Sequence, residues 1–273
     1  MNLPVDFIFS QSSLQDYVDC RRRFLLRYVL RLSWPANVTE PEAERERFLR
    51  LGNIFHRMIQ QHSLGIHADI LGDGLSGDLQ RWWENYLRHP AVDLPGERRA
   101  EVLVSAPLAE LRLEAKYDLL AMDPGKHALI VDWKTSRRRP SPKILLGRLQ
   151  SKVYPYLLVR TAQDVGFQGS ILPEQIEMMY WFADYPQEPH RFSYSKAQYD
   201  ADGEALVTLV EEICRLEEQD FELTTETARC TYCPYRSLCG RGVGAGEYQA
   251  WDDEAEVDAA VDFDFDQIAE IEF

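Results

Sequence analysis

Apolar positions recur at helical spacing from Ser10 to Leu32, through Leu14, Tyr17, Val18, Leu25 and Tyr28. This predicts a first helix capped by Ser10, Ser12 or Ser13 and ended by Pro35. A second helix is predicted over Pro41–Leu64, charged at first and then apolar on one side through Phe48, Leu51, Phe55 and Ile59. A linker with several glycines, Gly65 to Gly77, separates it from a short helix at Leu79–Leu87. Trp82 and Trp83 read there as packing residues rather than a stacking platform. The period then falls to two, and Glu101–Ala106, Leu111–Met122 and Ala128–Lys134 read as strands. In the second of these, Leu111, Leu113, Ala115, Tyr117 and Leu119 share one face. The third, ALIVDW, is continuously apolar, as expected of a central strand covered on both sides. Asp123 to Lys126 form the turn between the two.

Further on, residues 142–162 predict a helix, Glu177–Ala183 and Arg191–Ser193 predict strands, and Ala197–Leu216 predicts a last helix. Helices before and after a small mixed sheet define an α/β domain over residues 1–242. An acidic, weakly apolar tail occupies 243–273 and lacks the means to build a core alone.

Composition adjusts this picture in two ways. With 273 residues, 45% hydrophobic, the chain can bury a real core. No apolar run is long enough to span a membrane, and the N-terminus lacks a secretory pattern, so the expected location is cytoplasmic. The net charge of −15 argues against nucleic acid only on average. Eleven of the 45 acids and one of the 30 bases lie from Arg241 onward, which leaves −5 on the first 240 residues. A local basic groove is therefore compatible with the composition.

The candidate chemistry begins at Asp132 and Lys134. Residues i and i+2 of a strand point to one face, so a carboxylate and an ammonium project together from its C-terminal end. Such a pair suits phosphodiester hydrolysis, although a salt bridge at a strand end uses the same residues. Asp118, one strand earlier, can approach Asp132 across the turn, and two acids near one buried spot favour a cation. It could equally be a solvent-facing residue of an alternating strand. His56, on the second helix, could add a nitrogen ligand or be an ordinary partly buried histidine. Gly52, four residues before it, suits close approach of that helix to another backbone. Gln150 and Tyr154 stand at i and i+4, on one helix face.

Taken in order, GNIFH, AKYD, IVDWK and QSKVY resemble the RecB-type branch of the PD-(D/E)XK nucleases over about Phe9 to Cys239. The resemblance implies that His56, Asp118 and Asp132 bind Mg²⁺ or Mn²⁺ with the backbone carbonyl of Trp133, and that Lys134 is the catalytic lysine. It also implies that Gln150 and Tyr154 contact DNA. Ala115 departs from the pattern, standing where the family has Gly.

Five cysteines are present, and Cys230, Cys233 and Cys239 form C-x₂-C-x₅-C. Disulfides are not expected in the cytoplasm, so this spacing points to a metal centre needing a fourth thiolate. Either Cys20 or Cys214 could supply it, and Cys214 also reads as a buried, core-like residue. The resemblance selects Cys20, because in the iron–sulfur nucleases of the AddAB and CRISPR-associated type one N-terminal and three C-terminal cysteines hold a [4Fe-4S] cluster. Four-cysteine zinc is the alternative.

Arg137, Arg138 and Arg139 follow Lys134, and Arg21 to Arg23 follow Cys20. Both runs are candidates for phosphate contact with single-stranded DNA or duplex ends. The resemblance thus implies a DNA nuclease of repair, recombination or CRISPR-type processing. The alternative is a catalytically weak DNA-binding subunit on the same fold. No Walker loop is present, so any unwinding would need a partner helicase.

Overall fold

The structure, a computed structural model, describes residues 3–4, 6–32, 40–89, 94, 96–123, 125–167, 169–231 and 233–242. The expected stops and turns at Pro35 and Pro124, and the acidic tail, lie outside the described residues.

The architecture is α/β, with a six-stranded mixed sheet between helical layers. Its spine is β3 (Leu111–Asp123). One edge of β3 pairs antiparallel with β2 (Glu97–Leu108), from Glu97 opposite Met122 to Leu108 opposite Leu111. The other edge is shared. β1 (Ile8–Ser10) runs parallel beside Arg112–Glu114, and β4 (His127–Lys134) runs antiparallel beside Leu119–Asp123. Beyond β4 come β5 (Ile176–Phe182), parallel to it, and β6 (His190–Ser193), antiparallel to β5.

Between its two neighbours β3 is unpaired at Ala115–Asp118 on that shared edge. The last β3–β4 pair is Leu119 with Val131, while β4 stays paired to β5 through Lys134. The strands therefore part in a crevice at Asp118 and Asp132.

Two cores cover the sheet. On one side α1 (Gln11–Asp19), α2 (Arg21–Phe24), α7 (Gln150–Thr161) and α8 (Lys196–Arg215) bury Phe24, Tyr117, Ile130, Val153 and Val210. On the other, α3 (Glu40–Ser63) and α5 (Gly77–Arg88) bury Phe55, Trp82, Trp83, Val131, Trp133 and Trp181. Burying each such large apolar side chain contributes about 1.5–3 kcal/mol. β4 alternates between the cores, Ile130 in one and Val131 in the other, as its continuous apolar pattern predicts. Among the described residues no helix is long and apolar enough to cross a membrane.

Several elements depart from the sequence pattern. The first predicted helix starts on the Ser10 cap, whose hydroxyl accepts from the Ser13 amide, but it breaks at Cys20, where φ is −162° and ψ 105°. α2 then restarts and ends in a wide turn, Leu25–Val29. The predicted helix over 142–162 is two, α6 (Pro142–Gly147) and α7, parted at Arg148 by an extended ψ of 147°. The glycine linker holds a short helix, α4 (Ala68–Gly72). Leu119 does not share the face of Leu113, Ala115 and Tyr117. It packs in the second core, because the alternation inverts at Asp118. Cys214 is exposed, not buried, since α8 turns Leu206, Val210 and Ile213 inward and Cys214 lies a further 100° round the helix.

Candidate active site

Residues from both helical layers meet at the crevice where β3 and β4 part. Asp118 stands on β3 at the last unpaired position. Its Oδ2 accepts a 2.8 Å hydrogen bond from the backbone amide of Trp133, and its Oδ1 lies 3.4 Å from Nδ1 of His56 on α3. Gly52, one turn earlier on α3, makes this approach possible. A Cβ there would come within 2.9 Å of the Thr135 hydroxyl, so the helix closes on a side chain just after Lys134 rather than on backbone.

Asp132 and Lys134 share a face, as the strand period predicts, and both are buried, 3% and 8% exposed. Lys134 Nζ is 2.8 Å from Asp132 Oδ2 and donates to Gln150 Oε1 at 3.1 Å. The Gln150 amide nitrogen donates to Asp132 Oδ1 at 2.6 Å. Acid, amine and amide thus form a closed ring that holds the ammonium in place. Nζ also stands 5.6 Å from the Tyr180 ring centre. Gln150 and Tyr154 are therefore not an exposed pair on a helix surface. Both are buried, and the Tyr154 carbonyl accepts from the Tyr117 hydroxyl at 3.0 Å. Burial, with the nearby Asp132 and Asp118 charges, holds the Tyr154 phenol well above its usual pKa.

Burial opposes charge on His56, Asp118 and Asp132 alike. For His56, the charges of Asp118, Asp132 and Glu101 outweigh burial and raise the imidazole pKa. For Asp118, His56, the Trp133 amide and Lys134 outweigh it in the same way and lower the carboxyl pKa. For Asp132 burial prevails. Together with the Asp118 charge it exceeds the help from Lys134, and the pKa is raised. Two acids in unequal environments with unrelieved repulsion between them are what a cation would stabilise.

The tightest group of donors is not the trio read from the sequence. Among the described residues, His56, Glu101 and Asp118 bring one ligand atom each within 4.8 Å of one another. Asp132 is outside that group, engaged by Lys134 and Gln150. One imidazole and two carboxylates are a donor set that would suit a divalent cation. Glu101 carries no motif, and only its position opposite Asp118 could have drawn attention to it. Trp133 meets the site through its amide nitrogen, with its ring in the second core.

The basic runs divide. Arg138 is exposed and Arg137 stands 5.0 Å over the Phe48 ring, whereas Arg139 is paired with Glu188 at 3.0 Å and with His190 at 3.1 Å. Arg21 pairs with Glu212, and Arg23 is held by Asp16 at 2.7 Å and Asp19 at 2.8 Å. Those two arginines join structural elements.

Away from the crevice, Cys230, Cys233 and Cys239 gather beside Cys20, where the N-terminal helices meet the segment after α8. Burial pushes the Cys233 thiol up to about 11. Arg229 pairs with Asp19, the Arg22 amide donates to the Glu222 carbonyl at 3.1 Å, and the Tyr235 hydroxyl donates to the Leu32 carbonyl at 2.8 Å. The junction is thus tied independently of the thiols.

Residues 8–240 match the sequence profile of the PD-(D/E)XK nuclease superfamily, and the chain belongs to that superfamily. No curated protein matches it. Among solved structures it is similar to SSO0001, at 14% identity over 87% of this chain and 88% of that one, with a TM-score of 0.41. It is also similar to a Eubacterium rectale protein with a provisional exonuclease name, at 10% identity over 81% and 89%, with a TM-score of 0.48.

Proposed function

We propose that the chain is a Mg²⁺- or Mn²⁺-dependent deoxyribonuclease of the RecB-like branch, acting on DNA ends or single strands in the cytoplasm. The observation that carries this is the buried Asp132–Lys134–Gln150 ring set beside Asp118 and His56 in the crevice of a nuclease-family sheet. A bound divalent ion would polarise the phosphate and activate water. Asp118 and His56 hold that ion, with Asp132 beside them. Lys134, fixed by two partners, keeps a positive charge where charge grows on the phosphate and can pass a proton to or from water. Gln150 sets the position of both Asp132 and Lys134. Arg137 and Arg138 meet the DNA backbone. A retired site has no use for so complete a set, which favours an enzyme over a DNA-binding subunit alone.

In the same reading, residues 1–242 are one nuclease domain, with the acidic 243–273 as an appended tail. Cys20, Cys230, Cys233 and Cys239 hold a structural [4Fe-4S] cluster. Four-cysteine zinc is the alternative, and the resemblance to the iron–sulfur nucleases is what favours the cluster. Repair, recombination or CRISPR-type processing, with a helicase partner, is the setting such an enzyme suits.

Anaerobic purification with iron and sulfide analysis, alongside digestion of end-labelled DNA with Mn²⁺ or Mg²⁺, tests the proposal. Iron and sulfide near four per chain and metal-dependent release of label, abolished in Asp132→Asn, are expected. Label release independent of metal would overturn the nuclease assignment, and zinc in place of iron would overturn the cluster.

A further inference from the structure

Glu101 lies in the middle of β2 with φ 56°. That is the left-handed region, which residues other than glycine enter at a steric cost. The other described non-glycine residues with positive φ, Arg31 and Ala109, lie outside strands. The ladder between β2 and β3 is present on both sides, Ala100 with Leu119 and Val102 with Tyr117, and is interrupted at Glu101 and Asp118. Across the interruption the faces exchange. Val104 and Ala106 pack in the first core, while Ala100 packs against the second. A local distortion of this kind re-aims a side chain, and strained backbone inside regular structure persists where something depends on it.

What it re-aims is a carboxylate. Glu101 reaches the His56–Asp118 pair to within 4.8 Å and forms an ion pair with Lys116. Asp132 is engaged on both oxygens by Gln150 and Lys134. Resting on the nuclease reading above, we propose that Glu101 is a direct ligand of the divalent cation, completing a His56–Glu101–Asp118 set, and that Lys116 is the counter-ion it leaves when the cation enters. The nitrogen in this set favours Mn²⁺ over Mg²⁺, since imidazole suits the softer ion.

A Glu101 that mattered only as a strand irregularity would need its backbone and not its carboxylate. Two variants separate these roles. Glu101→Gln keeps the side-chain length, and Glu101→Gly adopts the left-handed backbone freely. Mn²⁺ binding to the full-length chain is measured by calorimetric titration without DNA, beside His56→Gln, Asp118→Asn and Lys116→Met. Both Glu101 variants should weaken binding at least about tenfold. Lys116→Met should tighten it, because the competing ammonium is gone. Unchanged Mn²⁺ affinity in both Glu101 variants, with loss in His56→Gln and Asp118→Asn, overturns the role of Glu101 and leaves the nuclease reading standing. No Mn²⁺ binding by the wild type, or full binding by His56→Gln and Asp118→Asn, overturns both.

Discussion

The backbone amide of Trp133 donates to the side chain of Asp118, at 2.8 Å, just where β4 leaves β3. One carboxylate thus satisfies the strand edge that opens the crevice and also faces His56. Asp118→Ala leaves that amide unpaired. Asp118→Asn keeps an acceptor and removes the charge. The alanine variant should be less stable than the asparagine variant by about 1–3 kcal/mol in metal-free denaturant titrations. Both should lose nuclease activity.

Gln150 bridges Asp132 and Lys134 from a buried position, so its effect should fall on the chemical step. Gln150→Ala should lower kcat about 10- to 100-fold while leaving KM for DNA nearly unchanged. A raised KM at constant kcat would mean that Gln150 meets DNA instead.

The four gathered cysteines and the exposed Cys214 should behave differently. Cys20→Ser should lose iron and lower the melting temperature of the anaerobic protein, because a centre linking Cys20 to Cys230 closes a long loop. Cys214→Ser should change neither.

His89 is buried against the Trp181 ring, centroids 5.3 Å apart. Burial, with Arg191 nearby, lowers its pKa from the ordinary 6.5 to about 4. Between these values the unfolded chain binds the proton and the folded chain does not. Stability from the neutral ring is therefore complete above pH 6.5 and is lost as pH falls toward 4. Relative to His89→Phe, the wild type should lose about 1–2 kcal/mol between pH 7 and pH 5 in denaturant titrations.

The sheet and the acid–amine pair were legible because they rest on period. β3, β4 and β5 alternate or run apolar, and the i, i+2 spacing put Asp132 and Lys134 on one face. Features that depend on a single dihedral left no trace. The inversion at Glu101 and Asp118 moved Leu119 to the other core and turned Glu101 inward, yet both residues fit an unbroken alternation. Cys20 sits among residues that continue a helix, and its extended backbone goes with tertiary contacts that no local pattern shows, Arg229 with Asp19 and the Arg22 amide with the Glu222 carbonyl. β1 is three residues long, too short for a period. The i, i+4 spacing of Gln150 and Tyr154 gives them a common face but not its surroundings. Gln150 is buried in the ring with Asp132 and Lys134, and Tyr154 is buried beside Tyr117, which no spacing within one helix reveals.

The most direct measurement compares wild type with Lys134→Ala on end-labelled DNA in Mn²⁺, using preparations matched for folding by circular dichroism. The account predicts metal-dependent cleavage by the wild type and a loss of roughly 100-fold or more in the variant. Equal cleavage by the two proteins would contradict it.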